Sequence, residues 1–143
     1  MSAHQTELDI ETNGPGLYAF TSSVESWLGG VAEDGPALLT VFVRHTSASL
    51  LIQENADPDV QRDLHAYFKR LVPAADDPSM SYLRHRSEGP DDMPAHIKAA
   101  LTATSLSIPV AGRRMLLGTW QGIYLFEHRA RPHTRSIVLH LAA

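Results

Sequence analysis

The order in which strand-like and helix-like stretches follow one another constrains this chain most. Thr6-Glu7-Leu8-Asp9-Ile10-Glu11 alternates polar and apolar, the signature of a half-buried strand. Asn13-Gly14-Pro15-Gly16 is a turn, and Leu17 to Phe20 reads as a second short strand. Ser22-Ser23-Val24-Glu25 spells a capping box, which predicts a helix running to about Leu28 and ended by Gly29-Gly30. Ala37 to Arg44 is apolar and β-branched, a buried strand. From His45 the spelling turns polar and small, then apolar again through Leu50-Leu51-Ile52. If that stretch is also a strand, alternation puts His45, Ser47 and Ser49 on one face. Asp57 caps a helix that Pro58 opens, and Val60, Leu64, Phe68 and Leu71 lie four, four and three apart as one apolar stripe before Pro73.

Residues 74–90 form the longest irregular stretch, of the kind that is usually functional or mobile. Asp91 or Asp92 caps the next helix, with Pro94 in its first turn and Ile97, Ala100 and Leu101 toward the core. Four strands follow: Leu106 to Val110, Met115 to Leu117 after a turn at Ala111-Gly112-Arg113, Ile123 to Arg129, and Ser136 to Leu141. Strand, helix, strands, two helices and then four strands predict an α+β domain: a mixed or antiparallel sheet with two to three segregated helices, one domain over residues 1–143.

Composition narrows the chemistry. The 143 residues suit one domain, and 43% hydrophobic with 20% charged residues is enough for a real core. A net charge of -4 without a basic run argues against nucleic acid as a partner. The first residues have neither a basic region nor an apolar core, and no apolar run approaches the roughly 20 residues that span a bilayer. A cytoplasmic protein with no membrane partner is expected. With no cysteine, disulfides and thiolate ligands are excluded, so a transition-metal site has to draw on the eight histidines and on carboxylates.

Three stretches carry that chemistry. Ser87 to Lys98 puts Glu88, Asp91, Asp92 and His96 at one loop-to-helix junction, with His85 just upstream. One acid there is explained by the helix dipole; two histidines are not. His45 stands at the polar end of an apolar strand as a ligand or general base, Ser47 and Ser49 are binding groups beside it, and Glu54 is placed to orient a histidine or accept a proton. Trp120, Tyr124, Phe126 and His128 alternate along the third stretch, where Gly118 and Gly122 let a backbone or ligand come close. His65 reads as a solvated helix residue. No His-x-His pair and no His-Glu-x-x-His is present, which also argues against a cupin-like metal barrel.

Taken together, His45-Thr46-Ser47-Ala48-Ser49, the run Glu88-Gly89 through Asp91-Asp92-Met93-Pro94 to His96-Ile97-Lys98, and Gly118-Thr119-Trp120-Gln121-Gly122-Ile123 with Glu127-His128-Arg129 resemble the YjbQ family. Its members are often labelled secondary thiamine-phosphate synthases. The resemblance implies a homotrimer and a pocket collecting His45, His85, His96 and His128. There, three histidines hold a divalent metal, zinc foremost, with magnesium as the ion for turnover. His85, His96 and His128 are the ligand set chosen, with His45 beside them and Asp92 and Glu54 orienting them. Arg129, with Ser47 and Ser49, would meet a small phosphorylated substrate. The implied reaction joins a pyrimidine-methyl pyrophosphate to a thiazole phosphate; the alternative is a trimer that binds metal, phosphate or a small molecule without catalysis.

Overall fold

A computed structural model describes residues 2–143. Its strands are β1 (Ala3–Asn13), β2 (Gly16–Ala19), β3 (Ala37–Val43), β4 (Ala48–Glu54), β5 (Ser105–Ala111), β6 (Arg114–Met115), β7 (Gln121–Glu127) and β8 (Pro132–Ala142). Its helices are α1 (Thr21–Val31), α2 (Pro58–Leu71) and α3 (Asp92–Leu101), with a 3-10 turn at Pro78–Met80. All strand pairs are antiparallel. They form a five-stranded sheet in the order β1-β8-β3-β5-β6 and a three-stranded sheet in the order β2-β7-β4. The fold is α+β, as the element order predicts.

The core lies between the two sheets. Leu39, Val41 and Val43 of β3, Ile108 and Val110 of β5, and Ile137, Leu139 and Leu141 of β8 meet Ile123 and Leu125 of β7, and Phe20, Val24 and Leu28 close it from the α1 side. Each such side chain taken out of water stabilises the fold by about 1.5–3 kcal/mol. Strand β7 is buried on both faces. Ile123, Leu125 and Glu127 belong to the interior between the sheets, whereas Phe126 packs edge-on against Phe68 of α2 at 5.2 Å. One strand therefore serves two compartments.

Several local expectations are corrected. The Ser22–Glu25 capping box does not form: α1 begins at Thr21 behind buried Phe20, without a side-chain cap, and Thr21 Oγ1 instead accepts the Ile123 N–H at 2.9 Å. The helix runs through Gly29 and Gly30, both exposed, because Leu28 and Val31 on either side still pack on the core. The α2 stripe is only half-buried and Leu71 is exposed, since the helix lies on the surface of the small sheet. In α3 the buried residues are Asp92, Pro94, Ala95 and Ala99; Ala100 and Leu101 are exposed. Trp120 leaves the β7 aromatic row for an exposed loop. The β5–β6 hairpin is tighter than read: Ala111 pairs with Arg114, and Gly112 and Arg113 both take positive φ, the two-residue turn whose twist suits a hairpin.

Candidate metal centre

The site begins with how β7 ends. Glu127 is fully buried, and its carboxylate accepts from Arg135 Nε at 2.7 Å and from Thr12 Oγ1 at 2.6 Å, joining β7 to β8 and β1. Its Oε2 also accepts the backbone N–H groups of His128 and Arg129 at 3.0 and 3.1 Å, which fixes the turn leaving the strand. Burial raises the Glu127 carboxyl, but Arg135, Thr12 and the Arg129 N–H outweigh it and hold the group below the usual carboxylate range.

That turn aims Arg129 at the junction ahead of α3. Its Nε donates to Asp91 Oδ2 at 2.9 Å, Nη1 to Asp92 Oδ1 at 2.7 Å and Nη2 to the Glu88 carbonyl at 3.2 Å. Asp91 Oδ2 also accepts the Ala130 N–H at 2.8 Å. Asp91 thus stands at the N-cap position but makes no cap hydrogen bond, because its carboxylate is committed elsewhere. The preceding loop is tied by Arg86, which donates to the carbonyls of Ala75, Met80 and Leu83, while Asp77 caps the 3-10 turn through the Ser79 N–H. This framework presents His85.

With one oxygen of Asp92 held by Arg129, the other faces two histidines. Asp92 Oδ2 lies 2.8 Å from His85 Nε2 and 3.3 Å from His96 Nε2, and Glu88 Oε2 lies 3.8 Å from His85 Nε2. Ligand atoms of His85, Glu88, Asp92 and His96 all fall within 4.8 Å of one another. His96 Nδ1 is 2.9 Å from the Thr46 carbonyl, which can only accept, so Nδ1 carries a proton and Nε2 is the ring atom turned to the Asp92 oxygen. In the neutral tautomer Nε2 is an acceptor facing an acceptor, an arrangement that a cation between them would relieve. Ligands about 2.0–2.1 Å from a tetrahedral zinc stand roughly 3.3 Å apart, which the Asp92–His96 separation matches while the Asp92–His85 one is shorter. The donor set of two imidazoles and carboxylates suits a zinc-class ion, and the hydrogen bonds to Thr46 and Arg129 orient a ligand from behind. Burial pushes Asp92 up, yet Glu88, His85, Arg129 and His96 together bring it below the usual range. Glu88 and His85 are exposed, so the cluster opens to solvent.

The other candidates stand apart. His128 is 3% exposed and shares a 2.9 Å hydrogen bond with Ser49 Oγ; it is outside the cluster, and burial lowers its pKa to about 3. His45 lies in the β3–β4 connection, not on a strand face with Ser47 and Ser49, because β4 starts only at Ala48. Its Nε2 accepts the Ser136 N–H at 2.8 Å, and burial with the Arg135 charge lowers its pKa. Ser47 Oγ accepts from Arg135 at 3.0 Å. Glu54 Oε2 accepts the Asp57 N–H at 3.0 Å, at the start of α2. Of the nine residues picked from sequence, His85, Asp92 and His96 come together with Arg129 behind them. Glu88 was counted in the dense stretch but not picked as a ligand.

Fold and cluster define a small antiparallel α+β protein with a solvent-open histidine–carboxylate site. The family described as UPF0047 protein YjbQ-like matches residues 6–143. The UPF0047 protein sll1880 of Synechocystis is 52% identical over 141 residues, covering 97% of this chain and 91% of the relative. UPF0047 protein YjbQ of Escherichia coli O157:H7 is 38% identical over 135 residues and 94% of each chain. Among solved structures, an uncharacterized YjbQ/UPF0047 protein from Clostridium acetobutylicum superposes with a TM-score of 0.81 at 32% identity, over 94% of this chain and 97% of that one. The hypothetical protein APE1520 from Aeropyrum pernix gives 0.82 at 28% identity over 95% and 96%. The chain belongs to the YjbQ-like UPF0047 family. No helix is long and apolar enough to cross a membrane.

Proposed function

We propose that this protein is a metal-dependent enzyme of the cytoplasm, a homotrimer, acting on a small phosphorylated substrate through a divalent ion held by His85, Asp92 and His96 with Glu88 beside them. One observation carries the reading: His96 Nε2 faces the Asp92 carboxylate oxygen at 3.3 Å while the other ring nitrogen is held by the Thr46 carbonyl. An ion of the zinc class would act there as a Lewis acid on a substrate oxygen. Arg129 keeps Asp92 ionised and fixed, and Thr46 keeps the His96 ring turned outward. Glu88 reaches in from the exposed side, its carboxylate 3.8 Å from His85 Nε2. Within this class the reaction implied by the resemblance, attack of a thiazole nitrogen on a pyrimidine methylene with loss of pyrophosphate, is the one to assay first.

A second reading, binding without turnover, is favoured by a different observation. Ser47, Ser49 and Arg129, the groups expected to touch substrate, are all engaged inside the protein. Elemental analysis after gel filtration tests the metal: about one equivalent per chain is expected, lost in Asp92→Asn and His96→Ala. Equal metal in wild type and both variants sinks the proposal. Product formation from the two phosphorylated precursors separates enzyme from binder, and light scattering reports the trimer.

A further inference from the structure

Behind the metal cluster, α2 and α3 enclose a cleft of about 310 Å³ whose floor is His128. His65 and Lys69, four apart and so on one face of α2, line one side, and Lys98 of α3 lines the other. The remaining walls include the apolar Pro15, Val72 and Pro94. Phe68 holds α2 in place by packing on Phe126, whose ring in turn lies 4.4 Å from that of His128. The volume is that of a pocket for a small organic ligand.

The charge in this cleft is unbalanced. Among the described residues neither Lys69 nor Lys98 makes an ion pair. Burial and then the Lys69 charge lower the pKa of Lys98, burial with the Lys98 and Lys69 charges lowers that of His65, and burial with Lys98 lowers that of His128. The single acid on the wall, Asp91, is already matched by Arg129 and the Ala130 N–H. His128 Nε2 is used by Ser49, and Nδ1 has no partner among the described residues. Like charges brought together at the mouth of an apolar cleft raise its affinity for anions. Apolar walls add a place for a carbon skeleton.

We infer that the cleft between α2 and α3 binds a small organic phosphate, its dianionic group held by Lys69, Lys98 and His65 and its organic body against Pro15, Val72 and Pro94. This deepens the proposed function and rests on it for the chemical class of the substrate. Asp91 borders the cleft and, through Arg129, shares a clamp with Asp92, so ligand and metal cluster are neighbours.

Calorimetric titration of the full chain with phenyl phosphate and with inorganic phosphate, before and after chelation of metal, tests this. Phenyl phosphate should bind more tightly than inorganic phosphate and should still bind the chelated protein. Each of Lys98→Met and Lys69→Met should weaken it by about tenfold or more, the loss of one charge-assisted contact, with metal content and circular dichroism unchanged. Failure of phenyl phosphate to bind wild type at millimolar concentration overturns the inference. So does unchanged affinity in both lysine variants, or binding that vanishes on chelation and in His96→Ala alone. That last result leaves the metal reading standing, whereas absent metal with intact lysine-dependent binding removes the metal reading and keeps the cleft.

Discussion

The Thr46 carbonyl oxygen sits 2.9 Å from His96 Nδ1 and thereby decides which nitrogen of His96 is free. A backbone group fifty residues away sets the chemistry of the ring. In nitrogen-detected spectra of the metal-free protein near pH 8, His96 is expected to be protonated at Nδ1. Added zinc should shift Nε2 and leave the Nδ1 proton in place. Protonation at Nε2 in that state contradicts the assignment.

Glu127 and Arg135 form a buried ion pair between the sheets, and breaking it from one side should be costly. Arg135→Met leaves a buried carboxylate with only Thr12 and two backbone N–H groups, and a loss of about 3–5 kcal/mol in urea unfolding is expected. The double variant Arg135→Met with Glu127→Gln should recover part of that loss. A single variant within about 1 kcal/mol of wild type would show that the interior tolerates the lone charge.

His128 makes stability depend on pH across the mildly acid range. Its pKa falls from 6.5 to about 3 on folding, so between those values the unfolded chain takes up a proton that the folded chain excludes. The contribution from keeping it neutral is complete above pH 6.5 and declines as pH drops through the window, by about 1.4 kcal/mol per unit. Urea melts at several pH values between 5 and 7.5 should show this slope. His128→Gln, which cannot titrate, should flatten it; identical slopes would assign the dependence to other groups.

Glycines in this chain differ in what surrounds them, and alanine scanning should separate them by sign. A Cβ at Gly122 would meet Asn55 Cβ at 3.2 Å and Thr21 Oγ1 at 3.3 Å, so Gly122→Ala should lower stability by about 1–3 kcal/mol. Gly30 lies in α1 with nothing within 4 Å of such a Cβ, and Gly30→Ala should raise stability by about 0.5–1 kcal/mol. Differential scanning calorimetry reads both. A destabilised Gly30→Ala would mean that α1 needs the glycine for a reason other than space.

How far the sequence was legible depended on the range of the forces involved. Strand alternation and the Asp57-Pro58 start of α2 are local and appear where they were read, and the turn read at Ala111-Gly112-Arg113 is there with Ala111 paired into the strand. The capping box at Ser22 failed because Phe20 and the Ile123 N–H, both tertiary partners, set the helix start. At the site, the density of acids and histidines between His85 and His96 was visible because all four groups lie on one loop and the helix turn that follows it. That His128 would turn toward Ser49, and that Arg129 would serve Asp91 and Asp92 rather than a ligand, depends on pairings across 79, 38 and 37 residues. Lys98 and Lys69 carried no signal beyond the four-residue spacing of His65 and Lys69, since their convergence needs two helices placed by Phe68 and Phe126.

Strand β7 lodges Glu127 between the sheets and the next residue, His128, on the helix side. Side chains along a strand alternate, so a single inserted or deleted residue upstream in β7 would exchange the two compartments. An insertion would set Phe126 against Arg135 and Glu127 against Ser49, and a deletion would set His128 against Arg135 and Arg129 against Ser49. Length variation within this stretch is therefore closed to the chain.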